Sequence, residues 1–447
     1  MKNYLCTFLI LWSITAQSQS YLDTYIQVGL ENNQMLQQQQ FALEKSMYAL
    51  KEAQSLFLPK VSLQADYFLA GGGRTVDFPA GDILNPVYAT LNQLTESNNF
   101  PTVENQRILL NPNNFYDAKI RTTLPIINAE IFYNRRIKSD LVSIQQLEIL
   151  IYQRELIKDI KNAYYNYLKS LEAVKIYESA ILLAGENQRI NEVLFKSDMV
   201  NRTVLTRAEN EVIKFQNQLF TAKKQSENAK AYFNFLLNKD LDEAILVDDE
   251  LLRQPIILET DQNFAQREEL SQLTMSSQIN QHQVGLSNAY LIPKVGAFLD
   301  LGSQAFDWEY NDQSRYYFFG VSLQWNIFSG GQNKHLNKQA ALDQKITTSK
   351  TDQVREQLRL QLLTSQNNYN SAQSDLQGAD KQMLSTERAY KDMLKLYKEG
   401  QVLFIEILDA QNQYIAAQLQ QNISLYECYI KASEIERASA SFNLKSN

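Results

Sequence analysis

The chain carries LYKEGQVLFIEILDAQNQY at Leu396–Tyr414, and 202 residues earlier LFKSDMVNRTVLTRAENEV at Leu194–Val212 in the same rhythm. Leu194, Phe195 and Lys196 answer Leu396, Tyr397 and Lys398, while Val200, Leu205, Ala208 and Asn210 answer Val402, Ile407, Ala410 and Asn412. In each copy a short polar break interrupts an apolar periodicity, so each reads as a turn joining two helices. Recurrence of the unit makes it an internal repeat.

The repeat extends outward in both directions. Upstream of the second turn, positions 362, 369, 376, 383, 390 and 397 are Leu, Tyr, Leu, Met, Tyr and Tyr, and positions 365, 372, 379, 386 and 393 are Ser, Ala, Ala, Thr and Met. This heptad seam alternates large with small side chains, as close helix packing requires. The same register, moved back by 202, gives Ile160, Tyr167, Val174, Ile181, Gln188 and Phe195 with Ala163, Ser170, Tyr177, Ala184 and Asn191. Downstream of the turns the seam continues through Val212, Phe215 and Phe233 in one copy and Tyr414, Cys428 and Ile435 in the other. Cys428 therefore reads as a small buried apolar residue. Helices running from about 128 to 195 and from about 334 to 397 would each extend roughly 100 Å at about 1.5 Å per residue. Such rods bury little within themselves and are expected to pack laterally against copies of the same chain.

A second landmark repeats at a different spacing. LPKVSLQADYFLA at Leu58–Ala70 is echoed by IPKVGAFLDLG at Ile292–Gly302, an offset of 234 against the 202 of the helices. The first copy thus holds 32 more residues, supplied by a Gly-, Pro- and Asn-rich stretch, 71–115, read as a long loop. Around it, Val61, Leu63, Ala65 and Tyr67 alternate with Ser62, Gln64 and Asp66, and Ala118, Ile120, Thr122 and Leu124 with Lys119, Arg121 and Thr123. In the second copy Val295, Ala297, Leu299 and Leu301 alternate with Gly296, Phe298 and Asp300, and Tyr317, Phe319, Val321, Leu323 and Trp325 with Phe318, Gly320, Ser322 and Gln324. Segments of about ten residues, apolar on one face and polar on the other, suit membrane β-barrel strands. Four strands are about half the minimum of eight for such a barrel, so closure would need several chains. A soluble β-sandwich is the competing reading, disfavoured because the strands form two distant hairpins set between rods.

The 447 residues are 44% hydrophobic with only 14 glycines and 8 prolines, a polar, helix-rich composition. Net charge is −7 with basic residues scattered, which argues against nucleic acid as a partner. Residues 1–20, MKNYLCTFLILWSITAQSQS, have the charged start, short apolar run and small-residue end of a secretory signal peptide. The expected organisation is a signal peptide over 1–20, a first repeat over 21–237 (strands about 58–70 and 116–127, hairpin about 128–237), a connecting segment over 238–262, and a second repeat over 263–447 (strands about 293–308 and 315–327, hairpin about 334–443).

LPKV and IPKV at the strand starts, WNIFSGGQNK leading from strand to long helix, and YKEGQVLFIEILDAQNQY at the turn together resemble the TolC-like outer membrane efflux proteins, over essentially the whole mature chain. The resemblance implies a mainly α fold with a membrane β-barrel part: a homotrimer whose twelve strands close one barrel and whose helices form a coiled-coil tunnel. It implies a protein in the outer membrane of a Gram-negative bacterium, embedded in its lipid and spanning the periplasm. Its partners would be a periplasmic adaptor and an inner-membrane transporter of RND, ABC or MFS type. The function implied is an exit duct for tripartite efflux or type I secretion; a soluble periplasmic coiled-coil adaptor or scaffold is the alternative reading.

Through the same resemblance the two turns become a periplasmic tip, with adaptor contacts at Lys196, Asp198 and Val200 and at Lys398, Gly400 and Val402. Gly400 matches the family's tip glycine, and Asp198 stands where the family usually has glycine. Glu406, Asp409 and Tyr397 match positions of the pore constriction. Val204 and Val402 replace an acid and a gate arginine found in some members, so the latch of those members is not expected here. On a helix wheel Glu406, Asp409, Gln413, Ala416 and Gln420 form one stripe apart from the Ile407, Ala410, Tyr414 seam, as a water-facing lumen would need. Carboxylates near a helix start also offset the helix dipole, the competing reading of this pair.

No catalytic chemistry is expected. The two histidines, His282 and His335, stand outside any HExxH pattern, no GxSxG occurs, and Gly71-Gly72-Gly73-Arg74 lacks phosphate-loop spacing. No cofactor or metal site follows from the sequence.

Overall fold

The computed structural model describes residues 20–247, 267–442 and 444. The expected signal peptide and most of the connecting segment lie outside the described residues. The elements in chain order are α1 (Tyr21–Asn32), α2 (Gln34–Ser55), β1 (Lys60–Phe68), β2 (Thr75–Phe78), α3 (Ala80–Leu94), β3 (Gln106–Leu109), β4 (Phe115–Ile127), α4 (Ala129–Lys196) and α5 (Arg202–Leu236). They continue with α6 (Glu268–Ser287), β5 (Lys294–Phe306), β6 (Arg315–Gln324), α7 (Gln332–Lys398) and α8 (Phe404–Ser439). The chain divides into two compact units that do not follow the repeat. Among the described residues, one holds 20–47, 140–247, 267–278 and 344–442; the other holds 48–139 and 279–343.

The first unit is helical. Leu358, Leu362, Ser365, Tyr369, Ala372, Ala379, Tyr390 and Tyr397 are the buried residues of α7, which is the heptad seam. Ile160, Ala163, Tyr167, Ala184 and Asn191 are buried on α4 in the equivalent register. One apolar core joins Leu22, Tyr25 and Ile26 of α1, Ile160, Tyr164 and Leu168 of α4, Phe233 and Leu236 of α5, and Tyr426 and Tyr429 of α8. Cys428 is buried with Tyr369, Ala372, Ala432 and Ile435. Asparagine side chains start helices by accepting from first-turn amides: Asn33 from Met35 and Leu36, and Asn201 from Val204.

The same unit contains a buried ionic network that sequence reasoning missed. Glu269 accepts from Arg267 at 2.7 Å and from Arg437 at 2.8 Å, and Arg437 also donates to Glu155 at 3.0 Å. Arg154 pairs with Glu268 at 2.7 Å and donates to the carbonyls of Ala440 and Phe442. Burial alone would raise the Glu269 carboxyl, but the two guanidinium groups outweigh it and hold the group at about 2.

The second unit carries an antiparallel sheet in the order β1-β4-β5-β6, leaving β1 and β6 as edges. Its register sorts the side chains into two faces. Leu63, Ile120, Leu301 and Tyr317 lie in one row, and Val61, Thr122, Leu299 and Phe319 in the next. Val61, Leu63, Ile120, Leu301, Tyr317, Phe319, Val321 and Leu323 are all exposed, so this apolar face has no cover among the described residues. The opposite face is polar and internally paired: Arg121 grips Asp300 through two bonds of 2.7 and 2.6 Å, and Asp117 accepts from Lys119 and Tyr316. Phe298 and Tyr316 lie over Gly320 and Gly302, where an added Cβ would meet ring atoms at 2.5 and 2.9 Å. Among the described residues no helix is long and apolar enough to cross a membrane.

The 71–115 stretch is not a plain loop. It holds the two-stranded β2-β3 ribbon and the 15-residue helix α3. Pro86 inside α3, with the flanking glycines and asparagines, masks the helical signal.

Candidate functional site at the helical turns

The turn ends of the two hairpins lie together in the first unit. Ala208, Tyr390, Tyr397, Phe404 and Ile407 form their common core, with Leu194, Val204, Val402 and Tyr414 packed around it. Tyr390 stacks on Tyr414 with ring centres 5.9 Å apart.

Both turns close in the same way. The amide of Asp198 donates to the Phe195 carbonyl and that of Met199 to the Leu194 carbonyl; Gly400 and Gln401 repeat the pair on Tyr397 and Leu396. This is the bonding of a Schellman cap, which requires a left-handed residue. Asp198 supplies it with φ +56° and Gly400 with φ +75°. The aspartate at 198 thus keeps the turn geometry of the glycine copy. Lys196, Asp198, Lys398 and Gly400 are exposed, and Val200 and Val402 are half-buried.

Between the hairpins runs a buried polar ladder. The Tyr397 hydroxyl donates to Asn191 Oδ1 at 2.6 Å, Asn191 Nδ2 donates to the Asn187 carbonyl, and Asn187 Nδ2 donates to Gln411 Oε1. Asn191 and Gln411 are 0% and 1% exposed. Burial pushes the Tyr397 hydroxyl above its usual range, keeping it a donor. Asn191 and Tyr397 both stand in the heptad pattern, but that one faces the other follows only from the α4-α7 neighbourhood. At the rim, Lys214 of α5 donates to Asn412 of α8 at 2.9 Å.

The acidic pair faces away from this seam. Glu406, Asp409, Gln413, Ala416 and Gln420 are all exposed, and Asp409 accepts from Gln413 at 2.7 Å. Tyr397 is turned into the seam and is not brought onto that stripe. The two acids differ in local duty. Asn201 caps α5, whereas its counterpart Leu403 gives α8 no side-chain cap. Glu406, in the first turn of α8, therefore serves the helix dipole. Asp409, one turn further on, lies beyond the reach of that effect.

Residues 261–440 match the family model described as outer membrane efflux protein. The matched stretch runs from the start of the second repeat to the end of α8. The fold over both halves is that of solved outer-membrane channels. OprN is 17% identical with a TM-score of 0.76, over 94% of this chain and 89% of that one. CmeC of Campylobacter jejuni is 15% identical with a TM-score of 0.75, over 96% and 87%. VceC of Vibrio cholerae is 12% identical with a TM-score of 0.74, over 94% and 95%. No curated protein matches the chain. The turn at Leu396–Tyr414 lies within the matched residues, and its counterpart at Leu194–Val212 lies outside them.

Proposed function

We propose that the chain is the outer-membrane exit duct of a tripartite efflux or type I secretion system, a passive conduit for solutes expelled by an inner-membrane transporter through a periplasmic adaptor. The observation that carries this reading is the four-stranded sheet with one uncovered apolar face, one ion-paired polar face and two unpaired edges. In hydrocarbon each unpaired peptide group costs several kcal/mol, so β1 and β6 must meet other copies. Three copies give the twelve-stranded barrel of the expected homotrimer, with the apolar rows against lipid and Arg121, Asp300 and Lys119 lining water. The two hairpins per chain favour a duct over an adaptor, which usually has a single hairpin flanked by β-rich domains.

In this reading the helices surround a periplasmic tunnel and the two turns form its tip. Lys196, Asp198, Val200, Lys398, Gly400 and Val402 meet the adaptor, and Glu406 and Asp409 face the constriction. Tyr397 acts from the seam, holding α7 to α4 through Asn191. Opening parts the hairpins, and the adaptor stabilises the parted state. A buried polar ladder suits this duty, since water can replace its bonds once the seam opens. The energy comes from the transporter.

Two measurements test the proposal together. The protein should fractionate with outer membranes and resist salt extraction, and in planar bilayers it should conduct ions. Release by salt, or absence of conductance from a folded preparation, overturns it.

A further inference from the structure

The helix α3 is inside out. Along one face Asn85 clamps the Val103 peptide, donating to its carbonyl at 2.9 Å and accepting from its amide at 2.8 Å. One heptad later Asn92 grips the Phe100 peptide in the same two-bond manner, at 2.7 and 3.0 Å. Gly81 lies so close to Val103 that a Cβ would stand 2.3 Å from its carbonyl oxygen. The polar face of α3 is thus bolted down. Directly opposite on the wheel are Ile83, Val87, Thr90 and Leu94, and the three apolar members are 58%, 52% and 75% exposed. Their spacing of four, three and four residues is that of a coiled-coil seam.

We propose that this stripe packs against the α3 helices of the other copies, forming a clasp at the outer mouth of the duct. The inference rests on the oligomeric reading above. Three observations choose a second copy as the occupant. The seam is self-complementary, with Ile83 and Thr90 at d and Val87 and Leu94 at a, so that the same apolar positions of identical helices can meet. The segment bearing it follows β1, the edge strand that must meet a neighbour. It leaves the sheet at the end that also bears the β5-β6 loop, which the duct reading places outside the cell. The helix contains Asp82 and no lysine or arginine, which argues against a resting place on anionic lipid. Two heptads are too short to associate unaided, so the clasp forms only between copies already joined through their strands.

The test uses the full chain in its membrane. Val87→Cys should give a disulfide-linked dimer on mild oxidation, whereas Ala89→Cys, exposed on the flank of the same helix, should not. Leu94→Glu added to Val87→Cys should abolish the link. Light scattering in detergent reports separately whether the oligomer is present. An intact oligomer with no Val87→Cys link, or with equal linking at both positions, overturns the clasp, whether the stripe then proves covered by lipid or by another protein. Absence of the oligomer instead overturns the assembly reading on which the clasp depends.

Discussion

Asp198 and Gly400 stand 202 residues apart in sequence and hold the same left-handed backbone conformation, closing two equivalent turns with the same pair of hydrogen bonds. An L-residue pays for that conformation through its Cβ, aspartate less than most. Gly400 has open space where a Cβ would be added, so the cost of Gly400→Ala is conformational alone. It should be about 1 kcal/mol, seen as roughly fivefold faster hydrogen exchange at the Gln401 amide. Asp198→Gly should slow exchange at the Met199 amide, though by less, since the unfolded chain also gains freedom.

The second prediction concerns the ladder. Tyr397→Phe keeps the ring in its apolar setting but leaves Asn191 Oδ1, fully buried, without its donor. The closed seam should lose about 1–3 kcal/mol. A larger mean conductance in planar bilayers is the expected readout, with unchanged conductance counting against a gating duty for the ladder.

The third concerns acid. Glu269 titrates at about 2 in the folded chain against 4.5 ordinarily. Its folded value is depressed, so its contribution is full above pH 4.5 and is lost as pH falls through about 2. The shift corresponds to about 3 kcal/mol. Glu269→Gln should lower the unfolding midpoint at pH 7 and flatten its decline between pH 5 and pH 2.

Which features were legible in the sequence follows from their range. The heptads of α4 and α7 and the alternation of β1, β4, β5 and β6 are local periodicities, and repetition made them decisive. The Arg267-Glu269-Arg437-Glu155 network joins groups far apart in the chain that no periodicity connects. The α3 helix was local but disguised, because glycines, asparagines and Pro86 outweighed a stripe of only four positions. Its usable signal was Asn85 and Asn92, one heptad apart and opposite Ile83, Val87 and Leu94.

The sheet makes a prediction specific to its rows. Leu63, 77% exposed, lies on the apolar face, and its chain neighbour Gln64 on the polar one. Leu63→Lys should destabilise the inserted barrel by about 2–4 kcal/mol near the membrane midplane, and Gln64→Lys by far less. Urea midpoints in lipid vesicles read the contrast; equal effects would place both residues in water.

The acids on α8 separate dipole from pore. If Glu406 and Asp409 served only the helix, removing Glu406 should cost more, because it occupies the first turn of a helix whose Leu403 provides no side-chain cap. Asp409, which among the described residues accepts from Gln413 alone, has no comparable local duty. In the proposed trimer, convergence of three copies at a narrow aperture would instead make both acids attract cations. Asp409→Ala should therefore lower cation selectivity in planar-bilayer reversal potentials while leaving stability nearly unchanged. Glu406→Ala should lower selectivity and also cost about 0.3–1 kcal/mol of helix stability. Retained selectivity in the double variant would assign the pair to the helix and remove it from the pore.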